Sequence, residues 1–541
     1  MNAHHENTQK TKELIDGLKT VCGNYGLGNT GYEYKIITEV FLYKYLNDKF
    51  LYEARNAEPA LKGAAKVEAS LKKYKKADYD YLLEKMGTKA ARFKREQLLG
   101  YLYNQQNEED FAEIFDAALV GVGELNIELF SVSTITKERI ALFEPVSNYI
   151  IERNQKSPFC KALIGKLAAF SFEPMFVEKY DFFSTIFEYL IKDYNKDSGQ
   201  YAEYYTPRAV ATIIAHILAP EPVRSVELYD PAAGSGTLLL ALAHQIGENK
   251  CTIYSQDISQ KSSEFLRLNL ILNNLVHSLH NVVKGNTLTA PFHRDGKVLK
   301  RFDYVVSNPP FKTDFSDDRE TLASETNRSR FFAGVPKVPG KKKESMAIYL
   351  LFIQHILYSL NDTGKAAVVV PTGFLTAASG IELAIRKRLV DEGMLRGVVS
   401  MPSNIFANTG TNVSILFVDK AHKTDKALLL DASKLGEKVK EGKNQKTLLS
   451  PEEEKRIIET FNAAKTDDEF SVVVPHKDIK AKNYSFSAGQ YFEVKIKYSE
   501  LTPSEFAEKM AGYNERLAAY FAEGKKLEKE IQKQLAGLRH E

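Results

Sequence analysis

Cysteine is scarce in this chain of 541 residues, which holds only Cys22, Cys160 and Cys251. They make no CxxC pair and no metal-ligand spacing, and a reducing, cytoplasmic compartment is the simple expectation. Long apolar runs are also missing. The longest, Ala347 to Leu360, is interrupted by Gln354 and His355. It falls short of the ~20 apolar residues that a bilayer span needs, so it reads as a buried helix and no membrane role is expected. The opening residues Met1-Asn2-Ala3-His4-His5 lack the apolar core of a signal peptide. Neither sign of charge dominates: 73 Lys and Arg face 70 Asp and Glu, a net charge of +3. No global basic field advertises nucleic acid, and any DNA contact has to use local patches or a partner. Two nucleotide patterns are absent as well. No Gly-Lys-Ser/Thr follows Gly234-Ser235-Gly236, so ATP hydrolysis is unsupported, and the same loop is not a GxGxxG dinucleotide fingerprint.

The length suggests two to four domains. A hydrophobic content of 44% with 26% charged residues is ordinary for a soluble globular protein. Residues 1–175 read as an all-α domain. Phe41-Leu42-Tyr43-Lys44-Tyr45-Leu46 is rich in apolar residues at helical offsets, Lys62 to Lys76 suits a solvated helix face or a phosphate contact, and Ser157-Pro158 marks a break. Residues 176–435 alternate strand and helix. Val226 to Tyr229, Thr252 to Gln256, Asn281 to Val283, Tyr304 to Ser307 and Ala366 to Val370 read as strands separated by helical stretches. That alternation implies an α/β fold with a largely parallel sheet, and the closely spaced last strands imply an antiparallel edge. Residues 436–500 read as a mixed extension, with an exposed Lys- and Gly-rich loop from Leu435 to Lys446 and a helix start at Ser450-Pro451-Glu452-Glu453. In residues 501–541, Phe506, Met510, Tyr513, Leu517, Tyr520, Leu527, Ile531 and Leu538 recur at helical spacing. Such a stripe wants a partner helix, or its own domain to pack on.

Four loops concentrate the chemistry. Asp230-Pro231-Ala232-Ala233-Gly234-Ser235-Gly236-Thr237 follows a strand and opens a helix, where glycines let backbone approach a ligand and helix N–H groups are free. Asp230 suits an ammonium group or loop amides. Asp257 ends the next strand and suits ribose hydroxyls, or a helix N-cap, since Ser259 and a helix follow. Asn286, in Lys284-Gly285-Asn286-Thr287, suits an adenine amine or an ordinary Gly-Asn turn. Asn308-Pro309-Pro310-Phe311 closes the fourth strand. Taken alone it suits a Pro-Pro turn; a polar side chain, two prolines and an aromatic also suit holding an extruded base. All four loops end neighbouring strands, where ligands bind in open α/β sheets.

This ordered set resembles the S-adenosylmethionine-dependent amino-methyltransferases of DNA. Asp230 to Gly236 is similar to their cofactor loop and Asn308-Pro309-Pro310-Phe311 to their catalytic motif. Gly199-Gln200 and Glu203-Tyr204-Tyr205-Thr206-Pro207-Arg208 resemble the segment that closes over the cofactor's methionine end. The order fits the adenine-N6 branch. Phe41 to Leu46, Phe187-Glu188-Tyr189-Leu190, Pro371-Thr372-Gly373-Phe374-Leu375 and Met401-Pro402-Ser403-Asn404-Ile405-Phe406 with Thr409-Gly410-Thr411 extend the likeness to the methylation (M) subunit of type I restriction-modification systems, across nearly the whole chain. One departure is Asn286, where these enzymes often carry Asp.

The resemblance implies a Rossmann-like methyltransferase domain between an all-α domain and a helical tail. It implies S-adenosylmethionine as cofactor, held by Glu203 to Arg208, Asp230, Ala232, Gly234, Ser235, Gly236, Asp257, Ile258, Asn286, Thr287 and Asn308. The Asn308 side-chain carbonyl and the Pro309 backbone carbonyl would draw on the two N–H bonds of adenine N6, and Phe311 would stack on the extruded base, with Tyr205 as a second face. No metal is expected, since positioning and electrostatics suffice. Implied partners are double-stranded DNA, a specificity (S) subunit that binds two copies of this chain, and a restriction (R) subunit. Arg328, Arg330, Lys337, Lys341, Lys342 and Lys343 suggest phosphate contact or a disordered loop. Rival readings are methylation of another planar nitrogen, a nicotinamide-linked oxidoreductase, and a non-catalytic DNA-binding scaffold.

Overall fold

The computed structural model describes residues 2–63, 67–87, 90–130, 132–134, 139–140, 142–176, 185–186, 189, 206–406, 412–421, 424–441, 444–492 and 501–536. They fall into two units, Met1–Tyr491 and Phe492–Glu541.

The first unit opens with helices α1 (Asn2–Asn24) and α2 (Gly31–Ala57). Thr30 caps α2, its side chain accepting from the Glu33 N–H. The Tyr43 hydroxyl on α2 donates to the Gln97 carbonyl at 2.6 Å, deep in the core. The cationic stretch Lys62 to Lys76 is not one helix, as expected, but a short turn of helix at Val67–Leu71 and then α3 (Lys76–Met86). Adjacent lysines at 72, 73, 75 and 76 repel one another within a turn, which favours the break. After α4 (Phe111–Leu125), the expected break at Ser157-Pro158 is absent. Helix α5 (Arg153–Ala168) runs through Pro158. Pro158 costs the helix one intrahelical N–H bond without ending it, and Ser157 beside it is tied outside the helix, accepting from Ala112 N–H and donating to the Glu109 carbonyl.

The all-α reading of residues 1–175 needs one correction. Two short strands, β1 (Val132–Thr134) and β2 (Arg139–Ile140), leave the helical region and join the central sheet. Strand-favouring Val132 and Thr134 find a ready edge there. After α6 (Arg208–Leu218) come β3 (Val226–Asp230), α7 (Thr237–Ile246), β4 (Cys251–Asp257), α8 (Gln260–Leu272) and β5 (Val282–Lys284). A small hairpin, β6 (Arg294–Asp295) and β7 (Val298–Leu299), precedes β8 (Phe302–Ser307). Then follow α9 (Tyr349–Ser359), β9 (Leu360–Pro371), α10 (Gly380–Asp391), β10 (Leu395–Ser400), β11 (Val413–Asp419) and β12 (Lys426–Asp431).

Among the described residues, eleven strands form one sheet, counting β15 (Ser471–Pro475) near the chain's end, in the order β15-β12-β10-β11-β9-β8-β3-β4-β5-β1-β2. Strands β5, β4, β3, β8 and β9 run parallel, and β11 lies antiparallel between β9 and β10. The chain steps outward from β3 through β4 to β5, then returns to lay β8 on the other side of β3. That reversal is a topological switch point, and it opens a crevice at the carboxyl ends of β3 and β8.

The expected boundary at 435 is not a structural one. Leu435 to Lys446 is not a loop but most of a hairpin, β13 (Glu437–Glu441) with β14 (Asn444–Leu448). Its alternation of Val439 with charged neighbours supports strands. Ser450 then begins α11 (Pro451–Asn462) with the full capping box that its sequence suggests, and α11 packs on α6. Strand β15 (Ser471–Pro475) extends the sheet beyond β12. The N-terminal helices share this core: Tyr34 meets Phe265 edge-to-face at 4.9 Å, and the Tyr45 hydroxyl reaches the Leu272 carbonyl at 3.2 Å. The second unit contains α12 (Pro503–Ala536). No described helix is long and apolar enough to cross a membrane.

Candidate active site

Strand β3 delivers Asp230 to the crevice. Its Oδ1 accepts from the Ala232 N–H and the Ser307 hydroxyl, both at 2.9 Å. Burial pushes this carboxyl up to about 7, opposed by those two hydrogen bonds and reinforced by the charge of Asp257. The loop then turns through Gly234 and Gly236, at φ of 53° and 83°, the left-handed region that favours glycine. Gly236 also packs against α8, where an added Cβ would come within 2.2 Å of Leu266 Cδ1. The Asn269 amide donates to the Ser235 carbonyl at 2.9 Å, and the Thr287 hydroxyl to the Pro231 carbonyl at 2.6 Å. The loop is thus gripped from below by side chains of two other elements.

Asp257 ends β4 and is built into that grip. One carboxylate oxygen accepts from the Gly234 N–H and the other from the Ser259 N–H, each at 2.8 Å. Burial raises its pKa, and those N–H groups oppose the rise. The helix N-cap is Ser259, whose side chain accepts from the Ser262 N–H, so the capping alternative for Asp257 passes to its neighbour. Ile258, between the two, stands 69% exposed. At the end of β5, the Asn286 carbonyl oxygen accepts from Leu288 N–H at 3.0 Å and Thr289 N–H at 3.4 Å. Its acceptor is committed to the local turn, so the structure favours the Gly-Asn turn over an acceptor for an adenine amine.

Asn308 leaves β8 beside this loop, and its Nδ2 donates to Thr206 Oγ1 at 3.3 Å. Thr206, Asp230, Ala232, Ala233, Ser235, Thr237, Leu238 and Asn308 line one small cavity. Pro309 is buried and Pro310 half-buried. Phe311 meets Tyr349 edge-to-face at 6.2 Å, and Tyr349 meets Phe374 the same way at 6.3 Å. Arg386 stands behind that row, donating to the carbonyls of Phe374, Ala377 and Tyr484.

The fold brings Thr206, Asp230, Ala232, Gly234, Ser235, Gly236, Asp257, Asn286, Thr287 and Asn308 to neighbouring strand ends. Glu203, Tyr204 and Tyr205 lie outside the described residues, as do Gly199-Gln200 and Thr409-Gly410-Thr411. Arg208 begins α6, exposed, with Glu454 of α11 in its electrostatic reach. Ser307, Asn269 and Tyr349 belong to the site without having been singled out. Ser307 directly precedes the Asn308 motif and was legible by position, whereas Asn269 and Tyr349 look like ordinary helix residues until the packing is known.

The basic segment after the motif is folded, not a disordered loop. Phe315, Leu322, Phe331, Met346 and Leu351 make a small core of their own. Arg330 is buried and bonds inward to the Thr287 and Leu288 carbonyls and to Asn327 Oδ1, so it leaves the set offered for phosphate contact. Arg328 pairs with Glu325, while Lys337, Lys341, Lys342 and Lys343 are exposed.

The profile of the N-6 DNA methylase family matches residues 178–499. The chain is 30% identical over 351 residues to the methylase subunit of the type I restriction enzyme MpnII of Mycoplasma pneumoniae, covering 63% of this chain and 62% of that protein. It is 26% identical over 384 residues to the HindI methylase subunit of Haemophilus influenzae, covering 68% of this chain and 81% of that one. In fold it is similar to the methyltransferase subunit of a type I restriction-modification system from Streptococcus thermophilus, with a TM-score of 0.70 at 21% identity, over 90% of this chain and 100% of that one.

Proposed function

Since the chain belongs to the N-6 DNA methylase family, we propose that it is the modification subunit of a type I restriction-modification complex and transfers a methyl group from S-adenosylmethionine to N6 of an adenine extruded from DNA. One observation carries the reading. Asn308 and the Asp230 loop end adjacent parallel strands at the switch point and line the same cavity.

The residues present fit the cofactor. The loop side chains are small, Asp230 offers a buried carboxylate to an ammonium group, and Ile258 projects an apolar face beside Asp257, as a nucleoside requires. When bound, S-adenosylmethionine supplies a methyl group on a sulfonium, already a strong electrophile. The protein's task is to present the amine. The Asn308 side-chain carbonyl and the Pro309 backbone carbonyl accept the two N–H bonds of adenine N6, which draws its lone pair out of ring conjugation and toward the methyl group. Proline fixes φ and holds that carbonyl rigid. Phe311, backed by Tyr349, offers the extruded base a stacking face, offsetting the few kcal/mol that extrusion costs.

Site choice rests with a separate specificity subunit that binds two copies of this chain, and a restriction subunit joins for cleavage. The apolar stripe of α12 is the docking element for the specificity subunit. The nearly neutral net charge agrees with shared DNA contact, and the lysines at 337 and 341–343 take phosphates. The complex acts in the cytoplasm. The test is transfer of labelled methyl to DNA, with and without the specificity subunit. Asn308→Ala should lower transfer at least ~10²-fold while cofactor binding stays measurable, and full transfer by that variant would sink the assignment.

A further inference from the structure

An amide can meet an amine with the wrong end. Adenine N6 carries two N–H bonds, so a side-chain NH2 turned toward it would set donor against donor. Asn308 serves only with its carbonyl facing the base. The two ends of an amide have nearly the same shape, so sterics alone do not choose between them; hydrogen-bond partners do.

The partner here is Thr206, whose hydroxyl oxygen accepts from Asn308 Nδ2 at 3.3 Å across 102 residues of sequence. Thr206 is 5% exposed, so water competes little for that bond. Its backbone is anchored as well. Pro207 follows at the start of α6, and α6 packs against α7 and α11. With the NH2 held by Thr206, Oδ1 turns to the other side. Both residues line the cavity that also holds Asp230 and Ser235, so the bond spans the expected cofactor segment and the expected base pocket.

We infer that Thr206 is a positioning residue that holds the Asn308 NH2 and so turns the side-chain carbonyl toward the target amine. This rests on the methyl-transfer reading above. A threonine hydroxyl and a serine hydroxyl can both accept the bond, whereas valine keeps the shape and removes the acceptor.

The experiment uses the complex of this chain with its specificity subunit on cognate DNA. Single-turnover methyl transfer and S-adenosylmethionine affinity are measured for wild type, Thr206→Val and Thr206→Ser. Thr206→Val should transfer roughly 10²-fold more slowly, the scale of a misplaced reacting group, a fall well beyond any loss of cofactor affinity, and Thr206→Ser should restore the rate. Cofactor affinity that falls in step with the rate would make Thr206 a plain cofactor contact and overturn the inference. So would a Thr206→Val complex as fast as an active wild type. An inactive wild-type complex would overturn the functional reading and this inference with it.

Discussion

A carboxyl buried beneath a ligand loop ties binding to pH. Asp230 is pushed up to about 7 from an ordinary 3.8, chiefly by burial. Between those values the unfolded chain has released the proton that the folded chain still holds. Ionisation therefore costs the fold stability as pH rises through that window, and the cost is complete above about 7. An ammonium partner favours the same ionisation. S-adenosylmethionine affinity should accordingly rise between pH 6 and pH 8, and Asp230→Asn should flatten that profile. In thermal melts of the ligand-free protein, Asp230→Asn should gain stability over wild type at pH 8 but not at pH 4. Titration calorimetry and those melts check both. The types of residue at this site were legible in the sequence, because a carboxylate, glycines and Asn-Pro-Pro-Phe at strand ends are rare together. Their second partners were not. That Asp257 also holds Gly234 follows from loop paths that no local pattern encodes, whereas the turn at Asn286 was one of its two readings from the start.

At the scale of elements, the glycine loop and α8 are locked by shape. Gly236 combines a φ of 83° with contact on Leu266 that leaves no room for a methyl group. Gly236→Ala should destabilise the protein by about 2–4 kcal/mol, combining left-handed backbone strain with overpacking, and chemical denaturation measures it. A companion Leu266→Ala should recover part of the loss if the clash is the cause. The strands and helices around this lock were readable from the alternation of strand-like and helical stretches, with Tyr304-Val305-Val306 of β8 and Ala366 to Val370 of β9 as short apolar runs, as buried parallel strands have. The hairpin of β13 and β14 escaped because its composition is that of a loop and its pairing is made only with itself. Arg330 misled for the opposite reason: a cation in a basic stretch looks like surface, yet three oxygen acceptors bring it inside.

At the scale of the molecule, α12 stands as its own unit, and a lone helix cannot bury its own apolar stripe. Removing the residues after Thr502 should abolish binding of the specificity subunit while leaving cofactor affinity unchanged. Size-exclusion chromatography with light scattering checks the first, and a complex that survives the deletion would refute the docking role. The rest of the chain resists division. Helices of the first 175 residues and the central sheet share one core, and β15 carries the sheet well past residue 435. The pairing of Ser133 with Val283 has a consequence in time. The N-terminal region leaves the ribosome first, yet β1 must wait for a strand made about 150 residues later. At ~5–20 residues per second the wait lasts roughly ten seconds or more. For that interval the short pair of β1 and β2 keeps one edge open, and the moment at which it can join β5 is set by the rate of translation.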